Sequence, residues 1–212
     1  EHVANSLRQI QQAGVTSQIK SITYTPFDEH SIAEALAKRG LTRDALPSGD
    51  ISWAYGASEQ GHIFLNPKGV KYMANGSNVS IHEVGHYHRN ILQDSFRAKW
   101  NTENPDALID REKIIRSVAN RSGQSVENVM QKLETTLHRE VKAYHPSADE
   151  NFADQFALMV EDKKIFSEGA MLYYDMFGGA RLPNKTINGL KYDDYMVNLY
   201  SDAENILLNY IK

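Results

Sequence analysis

The chain has 212 residues, of which 41% are hydrophobic and 24% charged, with a formal net charge of -4; this is enough for one good-sized core, or for a catalytic core with a small helical appendage. The charge balance excludes the basic excess that attracts nucleic acid and the polybasic run that holds anionic lipid, and no apolar run approaches the roughly 20 residues that cross a bilayer. With no cysteine there is neither a disulfide nor a thiolate ligand, so any metal must be held by histidine, carboxylate and water, which points to a catalytic site more than a structural one.

The opening Glu1-His2-Val3-Ala4-Asn5 lacks the pattern of a signal peptide, and a chain that opens on Glu is expected to be a processed product or a piece cut from a longer chain. Val3, Leu7 and Ile10 have helical spacing, and 18–25 reads as a strand stopped by Pro26. Ser31 with Glu34 has the form of a capping box for a short helix that Gly40 closes. Two β-like runs at 51–55 and 62–65, separated by the loop-like stretch 56–61, predict a hairpin. The run at 62–65 is also expected to form a sheet edge along which an extended peptide is laid.

Asn75-Gly76-Ser77 and Asn78-Val79-Ser80 match glycosylation sequons and are expected to be exposed polar loops. A helix is predicted over 79–99. Asn104-Pro105-Asp106 predicts another helix start, with Leu108, Ile109, Ile115 and Val118 on its apolar face. Further helices are expected over 125–143, from the Ser147/Glu150 capping pair through Phe152, Ala153, Phe156, Ala157 and Val160, over 170–177, and from about residue 192 to the end. The predicted class is α+β: helix-rich with a small mixed sheet. It is expected to be a single domain over 1–212, divisible into a part at 1–100 with the sheet and motif helix and a helical part at 101–212.

The chemistry lies in His82-Glu83-Val84-Gly85-His86. Residues four apart share a helix face, so His82 and His86 can point two imidazoles at one ion. Glu83 is placed to take a proton from a water activated there and to pass it to a leaving amine. With this composition the pattern arises by chance in about one shuffled sequence in fifty. A glycine in mid-helix costs about 1 kcal/mol, which calls for a packing reason at Gly85. His88, about 200° round the helix from His86, is expected to face away from the ion.

Zinc needs a third ligand. A metzincin arrangement would need Gly at 89 and His or Asp at 92, where the chain has Arg89 and Leu92. Glu150 is the best candidate, because it opens a helix with an apolar face, and Asp154, four residues on, is placed to hold the outer nitrogen of a zinc-bound histidine. Glu134, Glu140 and Glu161 are weaker rivals, and His138 or His145 is an alternative third ligand.

The pair of motifs, His82-Glu83-x-x-His86 and Glu150-Asn151-Phe152-Ala153-Asp154, resembles the gluzincin metallopeptidases, and Gly85 with the Phe-Ala-Asp-Gln-Phe-Ala run looks most like their anthrax lethal-factor-like and Pro-Pro endopeptidase group. The resemblance implies two histidine ligands and a general base on one helix, and a glutamate ligand with an acid four residues later on another. That group carries a catalytic tyrosine seven residues before the glutamate ligand, where this chain has Ala143 with Tyr144 beside it. It also has an acid at the position of Arg89. Tyr144, His145 or another tyrosine is therefore expected to stabilise the oxyanion. The resulting expectation is a monomeric, secreted zinc endopeptidase, or the catalytic domain of a toxin, that binds protein or peptide in extended form, with no nucleic-acid partner and no membrane-spanning segment. The competing expectations are a zinc amidase acting on a non-protein substrate and a non-catalytic binding module on a degenerate zincin fold.

Overall fold

The structure, a computed structural model, describes residues 1–15, 19–42, 56–103, 105, 110–143 and 145–212, without the side chains at 57–59, 89–97, 99 and 100. α1 (His2–Gln12) turns Ser6 and Ile10 inward, and β1 (Ser21–Tyr24) follows. α2 (Glu29–Ala37) starts earlier than the capping-box expectation, because Asp28 accepts the Ser31 N–H at 2.8 Å. That carboxylate satisfies an orphan donor at the positive end of the helix, while Glu34 pairs with Lys38 instead of reaching back.

β2 (Gly56–Glu59) and β3 (His62–Leu65) form an antiparallel hairpin. The stretch expected to be its loop is thus largely its first strand, and 51–55 lies outside the described residues. The turn is only Gln60-Gly61, both at positive φ (47° and 84°), the backbone signs of the two-residue turn that suits twisted strands. β1 pairs parallel with β3, giving a mixed sheet in the order β1-β3-β2. β3 is therefore central and paired on both sides, which corrects the expectation that it is a peptide-binding edge. Among the described residues the open edges belong to β1 and β2. Side chains of β3 alternate between two apolar environments: Phe64 joins Phe27, Ile32 and Leu36 beneath α2, whereas Ile63 and Leu65 enter the main core.

α3 (Val79–Glu103) carries the histidine motif. Its first turn is capped by Asn78, whose Oδ1 accepts the N–H of Ser80 at 3.0 Å and whose carbonyl accepts that of His82 at 2.8 Å. α4 (Arg111–Ser122) begins later than the Asn104-Pro105-Asp106 expectation: its cap is Asp110, which accepts the Lys113 N–H at 3.0 Å. Pro105 sits in a short turn of 3₁₀ type, and Asn104, Asp106, Leu108 and Ile109 lie outside the described residues. α5 (Val126–Val141) buries Val129, Leu133, Leu137 and Val141 behind a Ser125 cap.

α6 (Ala148–Val160) buries the expected face of Ala153, Phe156, Ala157 and Val160, and α7 (Glu168–Met176) is capped by Ser167. A two-residue hairpin, β4 (Thr186–Ile187) with β5 (Leu190–Lys191), escapes any periodicity argument. The single final helix expected from residue 192 is two helices, α8 (Tyr192–Ser201) and α9 (Ala203–Tyr210). Asp202 breaks them at φ -127°, ψ 26°, which lets α9 pack on α4 and α7.

The fold is α+β, helix-rich with a small sheet. One hydrophobic core runs from Ile10 to Ile211, drawing on both the sheet-bearing and the helical parts of the chain. α3 packs most extensively on α6. Gly85 permits that contact: a Cβ there would lie 3.0 Å from Ala153 Cα and 3.2 Å from Phe156 Cδ1. Among the described residues no helix is long and apolar enough to cross a membrane.

Candidate metal centre

The α3–α6 contact brings together the residues expected to bind metal. Ligand atoms of His82, His86 and Glu150 all lie within 4.8 Å of one another. The two Nε2 atoms are 2.9 Å apart, and the Glu150 oxygens are 3.3 Å from His82 Nε2 and 3.4 Å from His86 Nε2. A tetrahedral ion with bonds of about 2.05 Å separates its ligands by about 3.3 Å. The observed separations, 2.9–3.4 Å, are those of a group that could hold a metal ion.

Each imidazole is fixed by a carboxylate behind it. His82 Nδ1 donates to Asp154 Oδ1 at 2.7 Å, and His86 Nδ1 to Asp149 Oδ2 at 3.0 Å. With Nδ1 donating, each Nε2 turns a lone pair inward. In that tautomer two lone pairs and a carboxylate converge, and either a proton or a metal ion between them relieves the repulsion. Protons feel the same field. Burial lowers the imidazole pKa values, but hydrogen bonds to Asp154 and Glu150 prevail at His82, which rises to about 9, and those to Asp149 and Glu150 prevail at His86, which rises to about 10. Burial raises Glu150, yet the two histidines hold it well below the usual carboxylate range.

The Ser147/Glu150 pair is only half a capping box. Ser147 Oγ accepts the Glu150 N–H at 3.2 Å, but the Ser147 N–H donates to the His145 carbonyl at 2.9 Å and the Glu150 side chain turns to the histidines. The cap thus sets the register in which Glu150 meets α3, and its carboxylate is left to face the two histidines.

Glu83 lies beside the cluster, 4% exposed. Burial pushes its carboxyl pKa up and outweighs the opposing pull of His86 and His82. β2 runs directly against it: a Cβ on Gly56 would fall 2.7 Å from both Cγ and Oε1 of Glu83. Only glycine leaves room there for the Glu83 side chain as it stands.

The remaining candidates fall elsewhere. Tyr144 lies outside the described residues, and His145 is exposed and not part of the converging group. His138 turns Nδ1 to Asn151 Oδ1 at 3.1 Å. Glu140 accepts from Ser167 and Tyr210, Glu161 pairs with Lys163 at 2.9 Å, and Glu134 is half-buried on α5. His88 is not part of the converging group and packs beside Tyr87 and Phe156. Burial holds its pKa down to about 4.

Sequence reasoning missed Asp149 and the 75–78 turn. Asp149 carries no periodic signal; its adjacency to a ligand at a helix start was the only cue. The two sequon asparagines are not exposed loop tips. Asn78 is 1% exposed as the α3 cap, and Asn75 Nδ2 donates to Asp154 at 2.8 Å and to the Val141 carbonyl at 3.4 Å, so a glycan on Asn75 would remove one of those bonds. Comparison of the chain with protein-family models, with curated proteins and with solved structures returns no match.

Proposed function

We propose that this chain is a zinc-dependent endopeptidase with His82, His86 and Glu150 as metal ligands and Glu83 as general base. The observation that carries the proposal is the convergence of two lone-pair Nε2 atoms and the Glu150 carboxylate, with both Nδ1 protons already committed to Asp154 and Asp149. When bound, zinc supplies Lewis acidity, which polarises a substrate carbonyl and acidifies a water.

The chain's own residues do the rest. Asp154 and Asp149 keep the imidazoles oriented. Glu83, buried and raised toward neutrality, takes the proton of the attacking water and delivers it to the leaving amine. Tyr144 or His145, which stand in the sequence six and five residues before Glu150, is the proposed donor to the carbonyl oxygen as charge develops. β2, an unpaired sheet edge among the described residues, lies beside Glu83, where an extended peptide can pair its backbone with the protein without regard to its side chains.

The test is exposure of a broad peptide library to the wild-type chain and to Glu83→Ala, each with and without a zinc chelator, with cuts mapped by mass spectrometry. Cuts made only by chelator-free wild type are expected. A zinc-loaded wild type that cuts nothing would favour the amidase or the binding module instead.

A further inference from the structure

Behind His82, on the far side of Asp154 from the metal ligands, the turn at 75–77 closes around the Asp154 carboxylate. Gly76, at φ +87°, bends the chain so that Asn75 and Ser77, two residues apart, meet the same group. Asn75 Nδ2 donates to Asp154 Oδ2 at 2.8 Å and to the Val141 carbonyl at 3.4 Å, while its Oδ1 accepts the Ser77 N–H at 3.0 Å. The backbone donor and the backbone acceptor together fix which end of the amide is which. Ser77 Oγ lies 2.6 Å from Asp154 Oδ1, the oxygen that also receives His82 Nδ1 at 2.7 Å, and 2.8 Å from Asn75 Oδ1; its one proton goes to the closer, carboxylate oxygen. Ser77 is fully buried and Asp154 is 1% exposed.

We propose that Asn75 and Ser77 are positioning residues of the metal centre, setting through Asp154 the orientation and tautomer of His82. The proposal rests on the assignment of His82, His86 and Glu150 as a metal site. Asn75 holds one carboxylate oxygen and Ser77 the other, so the Asp154 carboxylate cannot rotate about its last bond. Oδ1 stays in line with Nδ1. A carboxylate held as the acceptor of Asn75 and Ser77 can only accept from His82 as well, so His82 Nδ1 donates and Nε2 is left to offer its lone pair to the ion. The turn also ties three elements to the site, since Asn75 reaches the end of α5, Asp154 belongs to α6 and the adjoining Asn78 caps α3.

The test compares wild type with Ser77→Ala, which removes one donor, and with Asn75→Asp, which replaces an amide donor by an acceptor facing Asp154. Zinc affinity is measured by competition with a chelator, and the visible spectrum of the cobalt(II)-loaded protein reports ligand geometry. Thermal unfolding in chelator gives the stability of each metal-free chain. Zinc affinity is expected to fall about tenfold for Ser77→Ala and by about ten- to a hundredfold for Asn75→Asp, with an altered cobalt spectrum in both. Ser77→Thr, which keeps the hydroxyl, is expected to retain an affinity within about threefold of wild type.

Wild-type zinc affinity and cobalt spectra in both substituted chains would overturn the proposal. So would a loss of metal-free stability with unchanged affinity, which would give the turn a structural role alone. A wild-type chain that binds no zinc would instead overturn the metal site itself, and the proposal with it.

Discussion

Substituting Gly85 by alanine separates the packing of α3 from its intrinsic helicity. Alanine in mid-helix is favoured over glycine by about 1 kcal/mol. Here the added Cβ would sit 3.0 Å from Ala153 Cα and 3.3 Å from Ala153 O, main-chain atoms of α6 that cannot swing aside, and 3.2 Å from Phe156 Cδ1. The two helices must part by a few tenths of an ångström, and overpacking of this kind costs about 1–3 kcal/mol. The net change is a loss of about 0–2 kcal/mol, or a Tm lowered by about 2–4 °C per kcal/mol in a chain of this size. The same displacement moves Glu150 and Asp154 away from His82, so zinc affinity should fall about tenfold or more. Calorimetry in chelator and zinc competition measure the two effects separately. A Gly85→Ala chain stabilised by the full helical increment, with wild-type zinc affinity, would refute the claim that the close α3–α6 approach builds the site.

Gly56→Ala should lower kcat/KM about 100-fold or more by displacing Glu83, yet leave zinc affinity within about twofold, since Glu83 is not a ligand; peptide cleavage and zinc competition together check this. Asp149→Ala should weaken zinc binding about tenfold by freeing the His86 ring, measured by the same competition. Asp175 tests the fold away from the site. Burial pushes its carboxyl up, against the pull of Tyr192, Arg181 and Tyr200, to about 6. A raised carboxyl pKa favours the protonated form in the folded chain, so the stability it confers is present below the unfolded value and is lost as pH rises through about 6. From the model value of 3.8 that is about 3 kcal/mol in all, of which about 2 kcal/mol falls between about pH 4.5 and 7. Urea unfolding should show Asp175→Asn gaining about 2 kcal/mol on wild type across that range; a constant difference would contradict the burial argument.

What was legible in the sequence was whatever local chemistry decides. The spacing of His82 and His86 fixes one helix face. The apolar run from Phe152 to Val160 fixes a second helix, and Ser147 fixes where it begins, so the register of Glu150 and Asp154 followed from a cap and a period. The motif glycine announced a close contact, and the structure supplies Ala153 as its partner. The illegible parts depend on choices that several residues compete for. Asp28 outcompeted Ser31 for a cap, and Asp110 lay closer than Asn104 to the helix that formed. The Gln60-Gly61 turn lacks the Asn-Gly or Asp-Gly signal of a tight hairpin, so its strand looked like a loop and β3 looked like an edge. Asn75 and Ser77 looked like solvent-facing polar residues because nothing local shows that Asp154, 77 to 79 residues away, waits as their acceptor.

The measurement that bears most directly on the metal centre is the zinc content of the purified chain after loading and dialysis, by elemental analysis, for wild type, Glu83→Gln, His82→Ala and Glu150→Ala. About one zinc per chain in wild type and in Glu83→Gln, and close to none in His82→Ala and Glu150→Ala, is the predicted result. A wild type without zinc, or zinc retained in both ligand variants, would contradict it.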